Sequence, residues 1–132
     1  MISGLNHLTI AVSDLDRSLH FYTEVLGFQG HVKWDNGAYL SLGSLWFCLS
    51  CDEPCPKRDY THIAFDIDAS GFDTFSRRLK DLGVREWKSN KSEGQSLYIL
   101  DPDGHKLEIH VGSLESRLQS LASEPYKGMT WL

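Results

Sequence analysis

Three side chains frame the chemistry open to this chain: His7, His62 and Glu108. Each lies in a stretch where apolar and polar residues alternate, as in a strand with one face buried. His7 shares a face with Thr9 and Ala11, while Leu8, Ile10 and Val12 share the other. His62 holds the matching place in Tyr60–Phe65, and Glu108 lies between Lys106 and His110, opposite Leu107, Ile109 and Val111. Two neutral imidazoles and one carboxylate on inward positions form a facial triad, which binds a divalent ion and leaves coordination places open. Such an ion acts as a Lewis acid on substrate oxygens. The plainer reading of a polar row on an antiparallel strand is a face turned to water. A buried carboxylate with no cation beside it, however, costs several kcal/mol or shifts its pKa strongly.

The elements that must position these residues occur twice. After the strand of His7, Ser13-Asp14-Leu15-Asp16 gives a capping signal, and Leu15, Leu19, Tyr22 and Leu26 recur at helical spacing up to Gly27. Strands follow near Gln29–Asp35, Ala38–Leu42 and Trp46–Ser50, with turns at Asn36-Gly37 and Gly43-Ser44. After the strand of His62, Ser70-Gly71-Phe72-Asp73 opens a second helix carrying Phe72, Phe75, Leu79 and Leu82, which Gly83 stops. Strands then fall near Val84–Lys88, Ser96–Leu100 and Lys106–Val111, the last pair joined by an Asp101-Pro102-Asp103-Gly104 turn.

The pattern is a repeated βαβββ unit, about residues 5–50 and 60–112, with a helix and tail over 113–132. Four strands alone leave open edges and an uncovered face. Two units side by side are expected to give an α+β fold: a curved, mixed eight-stranded sheet around a cleft, with helices outside. Under the pseudo-twofold, His7 matches His62 and Glu108 matches Cys48.

At 132 residues the chain reads as one domain of ordinary soluble composition, 41% hydrophobic and 23% charged. Thirteen basic against eighteen acidic residues argue against a broad nucleic-acid surface, which needs a basic face. No apolar run reaches the length of a membrane span, and the first residues do not read as a signal peptide, so a cytoplasmic protein is expected. Three cysteines crowd into one segment; their odd number speaks against a disulfide framework, and Cys51 and Cys55 read as loop residues.

Asn6-His7-Leu8-Thr9, Tyr60-Thr61-His62, Trp87-Lys88-Ser89-Asn90-Lys91-Ser92-Glu93-Gly94, Gly43-Ser44-Leu45-Trp46 and Asp101–Glu108 resemble the vicinal oxygen chelate superfamily. Within it they resemble the manganese-dependent fosfomycin resistance glutathione transferases, over Leu5–Met129. The resemblance implies Mn²⁺ on His7, His62 and Glu108, bound to the phosphonate and epoxide oxygens of fosfomycin. It implies a domain-swapped homodimer, each site shared between the first repeat of one chain and the second repeat of the other. It assigns the phosphonate to Lys88, Ser92, Ser96, Tyr98 and Arg117, and the drug pocket also to Trp46 and Cys48. Trp34, Asn36, Ser50 and Lys91 match positions near glutathione, and the loop with Asn90, Ser92, Gly94 and Ser96 matches a K⁺ site.

The implied reaction is attack of glutathione thiolate on an epoxide carbon. Thr9 donates a hydrogen bond to the epoxide oxygen, and Tyr39 contacts and activates the thiol. On pattern alone, Arg117 reads equally as a solvated charge, residues 90–94 as a plain turn and Trp34 as core. Two other functions fit the scaffold. One is another metalloenzyme: an epoxide hydrolase, a bacillithiol transferase, a glyoxalase-like isomerase or an Fe(II) dioxygenase. The other is a non-catalytic drug-binding protein, which leaves the triad without a role.

Overall fold

The computed structural model describes residues 1–132. The strands are β1 (His7–Val12), β2 (Gln29–Trp34), β3 (Gly37–Leu42), β4 (Leu45–Cys51), β5 (Ile63–Asp66), β6 (Glu86–Lys88), β7 (Ser96–Leu100) and β8 (Lys106–His110). The helices are α1 (Leu15–His20), α2 (Ala69–Asp81) and α3 (Leu114–Ser123), and a π-type turn, Phe21–Val25, prolongs α1. No helix is long and apolar enough to cross a membrane.

Hydrogen bonding defines two four-stranded mixed sheets, ordered β1-β4-β3-β2 and β5-β8-β7-β6, where the sequence suggested one sheet of eight. The expected βαβββ order holds in both. The chain divides into two compact units: residues 1–61 with 101–105, and residues 62–100 with 106–132.

In the first unit, the inner face of the sheet carries Ile10, Val12, Ala38, Leu40, Phe47 and Leu49, all at most 7% exposed. Tyr22 closes this core, its ring 4.9 Å from Phe47 and 5.4 Å from Phe28. Edge-to-face and tilted pairs of this kind add to the area they bury. Asp14 rather than Ser13 caps α1, accepting the Arg17 amide. Gly27, at φ +88°, takes the left-handed conformation that ends the helical segment.

The turn 101–105 belongs to this unit through its polar contacts. Tyr22 donates to Asp101 Oδ2 at 2.8 Å, and the amides of Asp103 and His105 donate to Asp101 Oδ1 at 3.0 and 2.8 Å. Asp103 in turn accepts from Ser13 and pairs with Arg17 at 3.1 Å. Alternation gave no sign of this network, because Asp101 reads locally as a turn residue.

In the second unit, the inner face of the sheet buries Phe65, Leu97, Ile99, Leu107 and Ile109, and α2 buries Phe72 and Leu79. Helix α2 starts earlier than the sequence suggested, with Asp68 at its cap and Ser70 and Gly71 inside. Strand β5 starts one residue after His62. Ser113 and Ser116 satisfy each other's amides in a capping box at the start of α3. Cys51 ends β4 rather than lying in a loop, and all three cysteines are free thiols.

Burial raises the Asp101 carboxyl above its ordinary range, while the Tyr22 bond and the His105 and Asp103 amides pull it back. Burial and the Asp101 charge push the Tyr22 phenol well above its usual range, so it stays a donor. An acid with a raised native pKa binds more protons folded than unfolded between the two values. Its contribution to stability therefore grows as pH falls through that window, from above toward about 3.9. Asp101→Asn should retain the two amide contacts and flatten this part of the pH profile. Asp101→Ala should cost about 2–4 kcal/mol by leaving Tyr22 and two amides unpaired. Urea unfolding of both variants against pH checks this; equal losses would contradict it.

Candidate active site

Register shows how each sheet gathers its functional side chains. In the first, Thr9 pairs with Cys48 and Cys48 with Tyr39. His7 pairs with Trp46, and Ala11 with Ser50. Residues opposite one another share a face, so His7, Thr9, Tyr39, Trp46, Cys48 and Ser50 lie on one face, away from the apolar core. Trp34 pairs with Gly37, itself opposite Ser50, and the Asn36 carbonyl accepts the Cys51 amide. Trp34, Asn36 and Ser50 therefore meet at one end of the sheet.

The rings on this face form a line. Trp34 and Tyr39 meet edge-on at 4.8 Å, Tyr39 and Trp46 at 5.2 Å, and Trp46 and His7 tilt together at 4.4 Å. Trp34, Tyr39 and Trp46 are 45, 39 and 40% exposed, so Trp34 is not core. Gly37 makes room for this line, since a Cβ there would lie 2.7 Å from both the Leu49 carbonyl and the Trp34 ring. A contiguous exposed aromatic strip marks a binding surface. Asn6 Oδ1 fixes the His7 ring through Nδ1 at 2.7 Å.

The second sheet repeats the geometry with different chemistry. Ala64 pairs with Glu108 and Glu108 with Tyr98, whose other neighbour is Lys88. Ala64–Glu108–Tyr98–Lys88 is thus the counterpart of Thr9–Cys48–Tyr39–Val32, which bears out the match of Glu108 with Cys48. Both repeats bulge at the same place, at His31 opposite Leu40 and Tyr39 and at Trp87 opposite Ile99 and Tyr98. A bulge redirects a side chain. Trp87 donates to the Leu107 carbonyl at 2.9 Å and packs edge-on to Tyr98 at 5.1 Å. Its ring also lies 5.6 Å from that of His62.

Glu108 is only 7% exposed. Its Oε1 lies 3.0 Å from His62 Nε2, and its Oε2 accepts from Ser96 Oγ at 2.6 Å. His110 Nδ1 approaches Ser96 Oγ at 2.6 Å and Glu108 Oε2 at 3.3 Å. The sequence reading gave no role to His110. The alternation that placed Glu108 also places His110 on this face, and its partner across the ladder is Ser96. Lys88 Nζ sits 4.9 Å from the Tyr98 ring centre, beside this cluster.

The loop after β6 is folded on itself. Asn90 donates to the Gly94 carbonyl at 2.7 Å and accepts from the Ser92 amide and hydroxyl at 3.1 and 3.0 Å. Arg117 on α3 holds the loop, with Nε 3.0 Å from Glu93 Oε2 and Nη2 3.1 Å from the Glu93 carbonyl. Tyr126 receives its remaining nitrogen at 3.3 Å. Arg117 is therefore a clamp, not a solvated charge. Lys91 is exposed in the same loop.

Two ligands held about 2.1 Å from one divalent ion, at right angles, lie about 3.0 Å from each other. His62 Nε2 and Glu108 Oε1 meet that condition, and the donor set suits a borderline or hard cation. His7 belongs to the other unit, and no three His, Cys, Asp or Glu side chains of one chain gather in metal-binding geometry.

The model of the Glyoxalase/Bleomycin resistance protein/Dioxygenase superfamily matches residues 4–109. Glutathione transferase FosA of Serratia marcescens is 53% identical over 136 residues, covering 99% of this chain and 96% of that protein. Metallothiol transferase FosB of Staphylococcus saprophyticus is 37% identical, covering 94% of this chain and 87% of that protein. Among solved structures, a mutant of FosX from Listeria monocytogenes, complexed with Mn(II) and 1S,2S-dihydroxypropylphosphonic acid, superposes with a TM-score of 0.81. It shares 32% identity and covers 89% of this chain and 99% of that chain. FosX from Mesorhizobium loti gives 0.78 at 35% identity, with the same coverage. With its paired βαβββ repeats and near full-length likeness to three kinds of Fos protein, the chain belongs to the Glyoxalase/Bleomycin resistance protein/Dioxygenase superfamily.

Proposed function

We propose that this chain is a metal-dependent glutathione transferase that opens the epoxide of fosfomycin by thiol addition and so confers resistance to the drug. The observation that carries the reading is the contact of half-buried His62 with buried Glu108 at 3.0 Å, on a face that also presents Ser96, Tyr98 and Lys88. The 53% identity to a protein named a glutathione transferase favours glutathione over other thiols. It also favours transfer over hydrolysis, isomerisation, dioxygenation or mere sequestration. Free thiols at Cys48, Cys51 and Cys55 suit a reducing cytoplasm.

His7, His62 and Glu108 would hold Mn²⁺, the ion that accompanies the related FosX. As the resemblance of the sequence implies, we assign the site to a domain-swapped homodimer, His7 coming from the second copy. Each copy then contributes a thiol half, on the first sheet, and an anion half, on the second. When bound, the cation supplies Lewis acidity that draws charge from the epoxide oxygen.

The protein's own groups do the rest. Thr9 donates to the epoxide oxygen as charge grows there. Tyr39 orients the glutathione thiol, and Trp34, Asn36, Ser50 and Lys91 seat the peptide. Lys88, Ser92, Tyr98 and Arg117 hold the phosphonate with charge-assisted bonds, Ser96 stands beside it with its proton donated to Glu108, and Trp46 and Cys48 line the pocket. Asn90, Ser92, Gly94 and Ser96 are the K⁺ loop of this reading. Its support is the tight fold of this loop, in which Asn90 donates to the Gly94 carbonyl and accepts from Ser92.

Mass spectrometry of fosfomycin incubated with Mn²⁺-loaded protein and glutathione should show the adduct. A product carrying water, or none, would contradict the proposal. Glu108→Ala should abolish measurable Mn²⁺ binding. Thr9→Ala should keep Mn²⁺ but lose about 10²–10³-fold in kcat if its hydroxyl serves the developing oxyanion. A fully active Thr9→Ala would remove that assignment. Arg117→Lys lacks the guanidinium fork, and should raise KM for fosfomycin at least about tenfold without changing Mn²⁺ affinity. An unchanged KM would show that Arg117 serves only the loop.

A further inference from the structure

The hydrogen bonds around Ser96 fix where one proton sits. Ser96 Oγ donates to Glu108 Oε2 at 2.6 Å, and that contact uses the serine's single O–H proton. The equally short contact from Ser96 Oγ to His110 Nδ1 then has no serine proton left. Two facing lone pairs at that distance would repel, so Nδ1 of His110 must carry the hydrogen and donate it to Ser96. The longer approach of Nδ1 to Glu108 Oε2, 3.3 Å, is favourable in that tautomer and unfavourable in the other.

Two glycines bring the backbone close to the far edge of the imidazole. A Cβ at Gly94 would lie 2.5 Å from the Val111 carbonyl and 3.0 Å from His110 Cε1. At Gly112 a Cβ would lie 3.0 Å from His110 Nε2. Both glycines have positive φ, +80° and +140°, where other residues are strained. The backbone thus closes on the far edge of the ring from two sides, while the ladder pair Ser96–His110 fixes the near edge.

We propose that His110 is a positioning residue. Its Nδ1–H directs the Ser96 hydroxyl onto Glu108 Oε2, bracing the carboxylate so that Oε1 stays turned toward His62. The brace is a property of the folded unit itself. Its consequence for the cation rests on the metal site proposed above, because outer partners of metal ligands fix ligand orientation and typically set about 10–100-fold in affinity.

Two measurements separate the brace from that reading. Long-range ¹H–¹⁵N NMR of the metal-free protein with labelled histidine should place the His110 proton on Nδ1. A proton on Nε2 alone overturns the proposal whatever the metal does. Calorimetric Mn²⁺ titration should then give losses of about 10–100-fold for His110→Ala and His110→Gln. His110→Asn, whose amide nitrogen falls near the Nδ1 position, should stay within about threefold of the native protein. On a Ser96→Ala background, His110→Ala should add less than about a twofold loss, because the two residues act in series. A full additional loss there overturns the brace. Native protein that takes up no Mn²⁺ defeats the metal reading alone, and the NMR result then decides His110.

Discussion

A carboxylate removed from water must be surrounded by donors or cations, and the second unit is built to meet that demand at Glu108. One oxygen faces His62 and the other takes the Ser96 hydroxyl. Both contacts depend on ladder register: Tyr98 opposite Glu108 and Ser96 opposite His110. A slip of one residue between β7 and β8 would turn Glu108 into the apolar layer of Leu107 and Ile109 and expose those two instead. The same register that buries the core therefore sets the site.

Duplication explains the division of labour. Thr9–Cys48–Tyr39 and Ala64–Glu108–Tyr98 occupy equivalent rows, each beside a one-residue bulge in the outer strand. In the first repeat the row continues into exposed aromatic rings and a thiol. In the second it continues into lysine, a buried phenol and the carboxylate. One backbone plan carries two chemistries because the face turned away from the apolar core is not held to apolar side chains.

Much of this was legible before any coordinates. Alternation in Leu8–Val12 and Leu107–Val111 gave the strand faces, and Gly27 and Gly83 gave both helix stops. The 20-residue pattern from His7 to Gly27, and its near repeat from His62, gave the duplication. What escaped was long-range or relational. Asp101 looks like an ordinary turn residue until Tyr22, 79 positions away, donates to it. His110 read as one more polar residue in the row of Glu108, because only the pairing of β7 with β8 brings it to Ser96. The pattern suggested one sheet of eight where hydrogen bonding gives two of four, since alternation fixes faces and not which edges meet. The bulges at His31 and Trp87 left no trace in the periodicity of such short strands.

The central claim is that Glu108 and His62 face one cation, which a His7 completes. Anomalous X-ray scattering from crystals of the Mn²⁺-loaded protein, recorded above and below the manganese absorption edge, tests it most directly. One strong peak per chain within bonding distance of Glu108 Oε1, His62 Nε2 and a His7 imidazole from a second copy is the result expected. A peak on other residues, or Glu108 still held only by Ser96 and His62 with no manganese beside it, would contradict it.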